Sequence, residues 1–190
     1  RRARTPLPSR PRRHHARGTE ASGHVSALPV AVTYRAATTD DLDAIMALET
    51  ASFVADAWSR DMMGDEVESV HNAYSVALIG DALAGYAGLR VPRGAREADV
   101  QTIAVSPEAR GRGIGRALMG RMIALARERG VREVFLEVRA DNDVAQNLYR
   151  SLGFEELGVR PGYYQPEGID AIVMRLALAA PSTVVGGETR

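Results

Sequence analysis

Three groups of residues in this 190-residue chain have types and spacing that could do chemistry. The first runs from Gln101 to Arg116. The apolar Ile103-Ala104-Val105 comes before Ser106-Pro107 and reads as the end of a buried strand. Arg110-Gly111-Arg112-Gly113-Ile114-Gly115-Arg116 follows and leads into a helical pattern. Glycines there leave backbone N–H groups uncovered at a helix N-terminus, where unpaired donors and the positive dipole end favour a phosphate. Arg110, Arg112 and Arg116 add cationic donors that can pair with phosphate oxygens. Taken alone, the loop is equally well a solvated turn. The second group is Glu137, inside a strand whose other face is aliphatic. A carboxylate in that setting needs solvent or a partner. It is either a proton acceptor or half of a cross-strand ion pair with an arginine. The third group is Asn142 and Tyr149 on the following helix. Alone, Asn142 is a helix cap and Tyr149 a core tyrosine with one satisfied hydroxyl.

Two phosphate-binding patterns can be set aside. The dinucleotide pattern Gly-x-Gly-x-x-Gly needs glycine at 116, which is arginine, and the P-loop needs a lysine, of which the chain has none. What remains, Arg-x-x-Gly-x-Gly between a strand and a helix, resembles the acetyl-CoA pyrophosphate motif of the GNAT family of N-acetyltransferases. A second stretch strengthens the resemblance: Leu136-Glu137-Val138-Arg139, Asn142, Ala145, Leu148-Tyr149 and Gly153-Phe154. With Tyr163-Tyr164 and Asp170-Ala171, it resembles the RimI-like branch, enzymes that acetylate the N-terminal alanine of a small-subunit ribosomal protein. The resemblance extends over roughly residues 30 to 176. It departs from the branch at Ala57-Trp58, where Pro-Trp is frequent, and in the arginine-rich N-terminal segment, which has no counterpart.

The resemblance implies a single-domain mixed α/β GNAT fold: a mostly antiparallel sheet of six to seven strands flanked by about four helices. It implies acetyl-CoA as co-substrate and no metal. It makes Glu137 the general base and Tyr149 the general acid. Ile103, Ala104, Val105, Gly111, Arg112, Gly113, Ile114, Gly115, Arg116 and Asn142 would bind the cofactor. Trp58, Tyr163 and Tyr164 would wall the acceptor groove. Read from the sequence alone, Trp58 is first a core plug and only second a groove wall. The chemistry fits these residue types. A peptide α-amine, with a pKa of about 7.7–8.0, is largely protonated at neutral pH and must lose a proton to attack a thioester. A carboxylate can take that proton directly or through one water. N–H donors near Ile103–Val105 can hold the oxyanion. A phenol, neutral near pH 7, can protonate the leaving thiolate. With no cysteine to carry an acyl group, direct transfer in a ternary complex is expected. The alternatives are a small-amine or aminoglycoside acetyltransferase and, from another class, a non-catalytic acyl-CoA-binding or ribosome-associated module.

These residues must be positioned by a recognisable series of elements. Val30–Arg35 reads as the first strand, followed by a helix from Leu42 capped near Thr38-Thr39-Asp40-Asp41. Ser59 caps a second, short helix. Tyr74–Ile79, Leu83–Val91 and Ala98–Val105 read as three antiparallel strands, with turns at Gly80-Asp81 and Pro92-Arg93-Gly94. A helix with Ile114, Leu118, Met122 and Leu125 on one stripe ends at Gly130. Val131–Arg139 is a strand, with Val134, Leu136 and Val138 on one face. The helix bearing Tyr149 closes at Gly153. Phe154–Val159 is a strand, Arg160–Tyr164 a loop and Ile169–Leu176 the last strand.

Arginines and acids balance at 24 each, but unevenly along the chain. Residues 1–28 hold seven arginines, three prolines and a single acid. That composition cannot bury enough apolar surface to offset its ordering entropy and is expected to be disordered. Residues 29–177 form the expected catalytic domain and 178–190 a flexible tail. Residues 29–190 carry seventeen arginines against twenty-three acids, which favours a cationic acceptor such as a peptide or protein N-terminus. Nucleic-acid contact is expected only through the basic tail. No apolar run reaches the roughly 18 residues of a membrane span, and a cytoplasmic location is expected.

Overall fold

The computed structural model describes residues 31–53 and 57–179. The segment 1–28 and the tail from 180 onward lie outside the described residues. Seven strands and four α-helices follow in the order β1 (Val32–Ala36), α1 (Leu42–Ser52), α2 (Arg60–Glu68), β2 (Asn72–Ile79), β3 (Ala82–Arg90), β4 (Glu97–Val105), α3 (Ile114–Glu128), β5 (Glu133–Arg139), α4 (Asp143–Ser151), β6 (Glu155–Tyr164) and β7 (Ile169–Ala177). The sheet order is β1-β2-β3-β4-β5-β7-β6. Only β4 and β5 run parallel; every other neighbouring pair is antiparallel. A parallel pair needs a crossover, and α3 supplies it.

Local chemistry sets the boundaries. Ser59 Oγ accepts the Met62 N–H at 3.2 Å and starts α2. Before α1, Asp41 accepts the Thr38 N–H at 2.8 Å and pairs with Arg35 at 2.6 Å. Each face of the sheet carries its own apolar layer. Ile114, Leu118, Met119 and Met122 of α3 pack with Tyr149 of α4, Val134, Leu136 and Val138 of β5 and Met174 of β7. On the other face, Ile45, Leu48 and Met63 of α1 and α2 cover Tyr74, Val76, Tyr86 and Ala104. Gly88 is required there, because a Cβ on it would lie 2.3 Å from the Tyr74 ring.

The feature that makes a site possible is the short β4–β5 ladder. It contains Glu97↔Glu133, Ala98↔Val134 and Asp99↔Phe135, and then ends. Beyond it β4 continues to Val105 along β3, while β5 continues to Arg139 along β7. The β3–β4 register moves from Leu89↔Val100 to Gly88↔Thr102, so Gln101 is an extra residue on β4. A bulge of this kind bends the strand that carries it. The two strands therefore diverge, and a cleft opens between their C-terminal halves.

Two boundaries differ from the sequence reading. Arg160–Tyr164 is part of β6, not a loop. Pro161 and Gly162 look like turn residues, but β6 lies on the sheet edge, where a missing N–H costs no ladder bond. The register shift between Arg160 and Tyr164 absorbs the irregularity. At the C-terminal end, Leu178 is buried and its N–H bonds the Arg132 carbonyl at 2.7 Å, so the chain is still anchored one residue past the expected boundary.

Candidate active site

The β4 wall of the cleft leads into the glycine loop. Ser106 N–H bonds Ala84 O at 2.9 Å, and Val105 lies opposite Gly85. Antiparallel pairs alternate between bonded and non-bonded residues. Ala104 therefore directs its main-chain groups to β3, while Ile103 and Val105 direct theirs into the cleft. The Val105 carbonyl accepts Arg110 Nε at 3.2 Å, which folds the loop back on the strand. Gly113, at φ +77°, is the left-handed residue from which α3 starts. Gly111, at φ +74°, is left-handed too, and a Cβ on either would meet open space. No side chain caps α3. An uncapped helix start of this kind holds an anion through main-chain donors.

The arginines of the loop divide their roles. Arg112 is exposed and makes no ion pair among the described residues. Arg116 donates to Ser151 Oγ at 2.6 Å and ties α3 to the end of α4. A Cβ on Gly115 would lie 3.5 Å from Leu148 of α4 and 3.8 Å from Val105 of β4, so this glycine marks where the two helices and the strand converge.

The opposite wall is β5. Val134, Leu136 and Val138 are buried toward α3, and Phe135, Glu137 and Arg139 face the other side half-buried. Glu137 lies beside Val173 of β7 and takes an ion pair from Arg160 of β6, Oε1 to Nη1 at 3.0 Å. Its side chain remains 29% exposed. The arginine partner that the sequence left open is thus Arg160, a residue the sequence reading placed in a loop. Two aromatic contacts extend this face. Arg139 lies 5.5 Å from the Tyr164 ring centre and Arg160 lies 5.6 Å from that of Tyr163. The two tyrosines meet edge to face at 5.2 Å.

Tyr149 belongs to the α3 side of the sheet, packed on Phe154 with ring centres 5.9 Å apart. Glu137 and Tyr149 therefore lie on opposite sides of β5 and can serve one substrate only through the β4–β5 opening. Burial, reinforced by the nearby Tyr164, pushes the Tyr149 phenol well above its ordinary range, so it keeps its proton. Asn142 caps α4 through Oδ1, which accepts the Ala145 N–H at 3.1 Å; its exposed amide is left to donate outward. Sequence reasoning missed Gln146. It is buried, and its Nε2 donates to Arg139 O at 3.1 Å and Ala140 O at 3.0 Å. This clamps α4 to the end of β5 one turn before Tyr149.

Trp58 is half-buried against the α1–α2 layer, so the core-plug reading is realised in part. The layer it packs against includes Ala104 of β4.

The family model described as Acetyltransferase (GNAT) family matches residues 42–154, which spans both walls of the cleft and the loop between them. The chain belongs to this family. The N-alpha-acetyltransferase RimI of Mycobacterium tuberculosis is 44% identical over 156 residues, covering 80% of this GNAT chain and 96% of that protein. An uncharacterised protein of Mycobacterium leprae is 43% identical over 140 residues, 71% of this chain; the match spans only 38% of that longer relative. Among solved structures, the ribosomal-protein alanine N-acetyltransferase of Escherichia coli superposes with a TM-score of 0.72 at 32% identity. The superposition covers 82% of this chain and 99% of that one. The expected GNAT architecture is therefore the one observed, with seven strands and four α-helices.

Proposed function

We propose that this GNAT chain is an N-alpha-acetyltransferase. It moves the acetyl group of acetyl-CoA to the N-terminal amine of a protein, with an alanine-initiated small-subunit ribosomal protein as the leading substrate. The observation that carries the reading is the β4–β5 opening. One wall is a free strand edge running into an uncapped helix start, and the other carries a half-exposed carboxylate. Relatives similar to this chain over most of its length bear N-acetyltransferase activity in their names. No helix among the described residues is long and apolar enough to cross a membrane.

The steps follow from the residues. The α3 N-terminus and Arg112 hold the pyrophosphate of acetyl-CoA, and Asn142 donates from the far side. The outward N–H groups of Ile103 and Val105 hold the thioester carbonyl. Glu137 accepts a proton from the α-amine, directly or through water, and its negative charge also attracts the ammonium form. Amine nitrogen attacks the carbonyl carbon, and the N–H donors of β4 stabilise the oxyanion. The C–S bond breaks as the CoA thiolate takes a proton from the Tyr149 hydroxyl, and the proton released by the newly acylated nitrogen returns to the phenolate. Tyr163, Tyr164 and Trp58 line the route of the acceptor.

The test is thiol release from acetyl-CoA with a panel of N-terminal peptides, free polyamines and an aminoglycoside. Alanine-initiated peptides should exceed every small amine in kcat/KM by at least tenfold. Equal or better turnover of small amines would replace the protein substrate with the small-amine alternative. Cofactor binding with no thiol release from any acceptor would leave only a binding module.

A further inference from the structure

One buried ionisable group takes no part in the steps above. Glu49 lies on the covered face of α1 with Ile45 and Leu48, and it is 1% exposed. A carboxylate at such a depth is normally matched by a cation. Here both partners are neutral donors. Oε1 accepts the main-chain N–H of Trp58 at 3.1 Å, and Oε2 accepts the Tyr86 hydroxyl. The Tyr86 oxygen in turn lies 3.3 Å from Thr102 Oγ1. Burial and the carboxylate together push the Tyr86 phenol far above its ordinary range, so it remains the donor.

The chain of contacts has a direction. It begins at the main chain of Trp58, passes through α1 and β3, and ends on Thr102 of β4. Thr102 follows the bulged Gln101 and precedes Ile103, whose main-chain groups face the cleft. Nothing in ordinary helix packing needs a carboxylate at position 49, since an apolar side chain would fill the space without desolvation. What the carboxylate supplies is two acceptor sites aimed at two different elements.

We infer that Glu49 is a positioning residue for the acceptor. It fixes Trp58 relative to β4 and thereby sets the width and selectivity of the groove that receives the peptide. The inference rests on the reading that Trp58 walls this groove. Glu49 does not exchange protons with substrate; it acts through the Trp58 main chain.

The experiment uses the full chain and three variants, Glu49→Ala, Glu49→Gln and Tyr86→Phe. Trp58 is the only tryptophan, so intrinsic fluorescence and its quenching by acrylamide report this loop alone. Glu49→Ala should red-shift the emission and raise the quenching constant at temperatures where the protein remains folded. It should raise peptide KM roughly tenfold, the effect of losing about one hydrogen bond's worth of ordering at the wall. The acetyl-CoA dissociation constant should stay within about twofold. Glutamine can accept from Trp58 with its oxygen and donate to Tyr86 with its nitrogen. Glu49→Gln should therefore restore both fluorescence and KM. Tyr86→Phe, which leaves the Trp58 bond intact, should fall between. Should Glu49→Ala fail to fold, the other two variants carry the test.

Unchanged quenching in Glu49→Ala would overturn the inference whatever the kinetics. Loosened fluorescence with unchanged peptide KM would also overturn it, and would locate the error in the groove assignment of Trp58. Loss of turnover in Glu49→Gln with native fluorescence would make Glu49 a catalytic group instead.

Discussion

Two carboxylates in this molecule face the same side of the sheet and are treated in opposite ways. Glu49, under α1, is sealed from water and satisfied by two neutral donors. Glu137, on β5, is partly open and shares its charge with a solvent-exposed arginine. Burial makes the first side chain a fixed strut, since any movement would strand a charge and two donors away from water. Exposure makes the second exchangeable, since Arg160 can move into solvent at little cost. A proton acceptor must be able to change partners during a reaction. By that standard the less buried group is the one that fits the proposed role of base, and depth alone is a poor guide to catalysis.

The largest effect separates the two groups by turnover. Glu137→Gln should lower kcat by roughly 10²–10⁴-fold, the usual weight of one acid–base residue, with melting temperature and acetyl-CoA affinity retained. Tyr149→Phe should also depress kcat, by about tenfold or more, with cofactor affinity unchanged. Raising the pH should not relieve it, because a deprotonated amine does nothing for a leaving thiolate. Recovery at high pH in that variant would remove Tyr149 from the acid role.

The next two sharpen the contrast in binding and stability. Gly113→Asp should weaken acetyl-CoA at least about tenfold by calorimetry, because it sets a negative charge against the anion at the start of α3. Gly113→Ala is the control for left-handed strain without charge, and equal losses in both would make the loop only a turn. Tyr86→Phe strips one donor from a buried carboxylate and should cost about 1.5–3 kcal/mol in denaturant unfolding. Arg160→Gln breaks the exposed pair and should cost no more than about 1 kcal/mol. Similar losses in the two would erase the distinction drawn between the carboxylates.

The smallest effect concerns an ion pair away from both, between the exposed Arg35 and the buried Asp41. Arg35, with help from the Thr38 N–H, holds the Asp41 carboxyl below the ordinary carboxylate range. A depressed folded value adds stability above the unfolded value, near pH 4, and that stability is lost as pH falls through the folded value. Arg35→Gln should therefore reduce stability at pH 7 slightly and flatten the acid limb below about pH 4. An unchanged acid limb would mean that the pair does not titrate with folding.

Much of this was legible before the structure. The glycine loop announced itself because a left-handed helix start needs residues without Cβ. The two faces of β5 were readable from strict alternation, and α4 from its cap and apolar stripe. The parts that were not legible depend on contacts between distant segments. Pro161-Gly162 looks like a turn in any sequence, and only its place on a sheet edge lets β6 run through it. Glu137 plainly needed a partner, but twenty-four arginines offered no means of choosing Arg160. Arg116 was assigned to the anion, whereas Ser151 takes at least one of its donors. Glu49 stood in plain view on the apolar stripe of α1, next to Leu48. A carboxylate in a covered stripe was the signal, and its donors came from residues 9 and 37 positions away.

The central claim is that Glu137 takes the proton and Glu49 does not. The most direct measurement is kcat against pH, from about 6 to 10, for Glu137→Gln and Glu49→Gln on one alanine-initiated peptide, with melting curves on the same samples. Both variants replace a carboxyl group with an amide and keep the shape of the side chain. The account predicts a wild-type profile for Glu49→Gln. For Glu137→Gln it predicts a large defect at neutral pH that shrinks as the amine loses its proton unaided, near pH 8 and above. Full activity of Glu137→Gln at pH 7, or the rising profile appearing in Glu49→Gln instead, would contradict it.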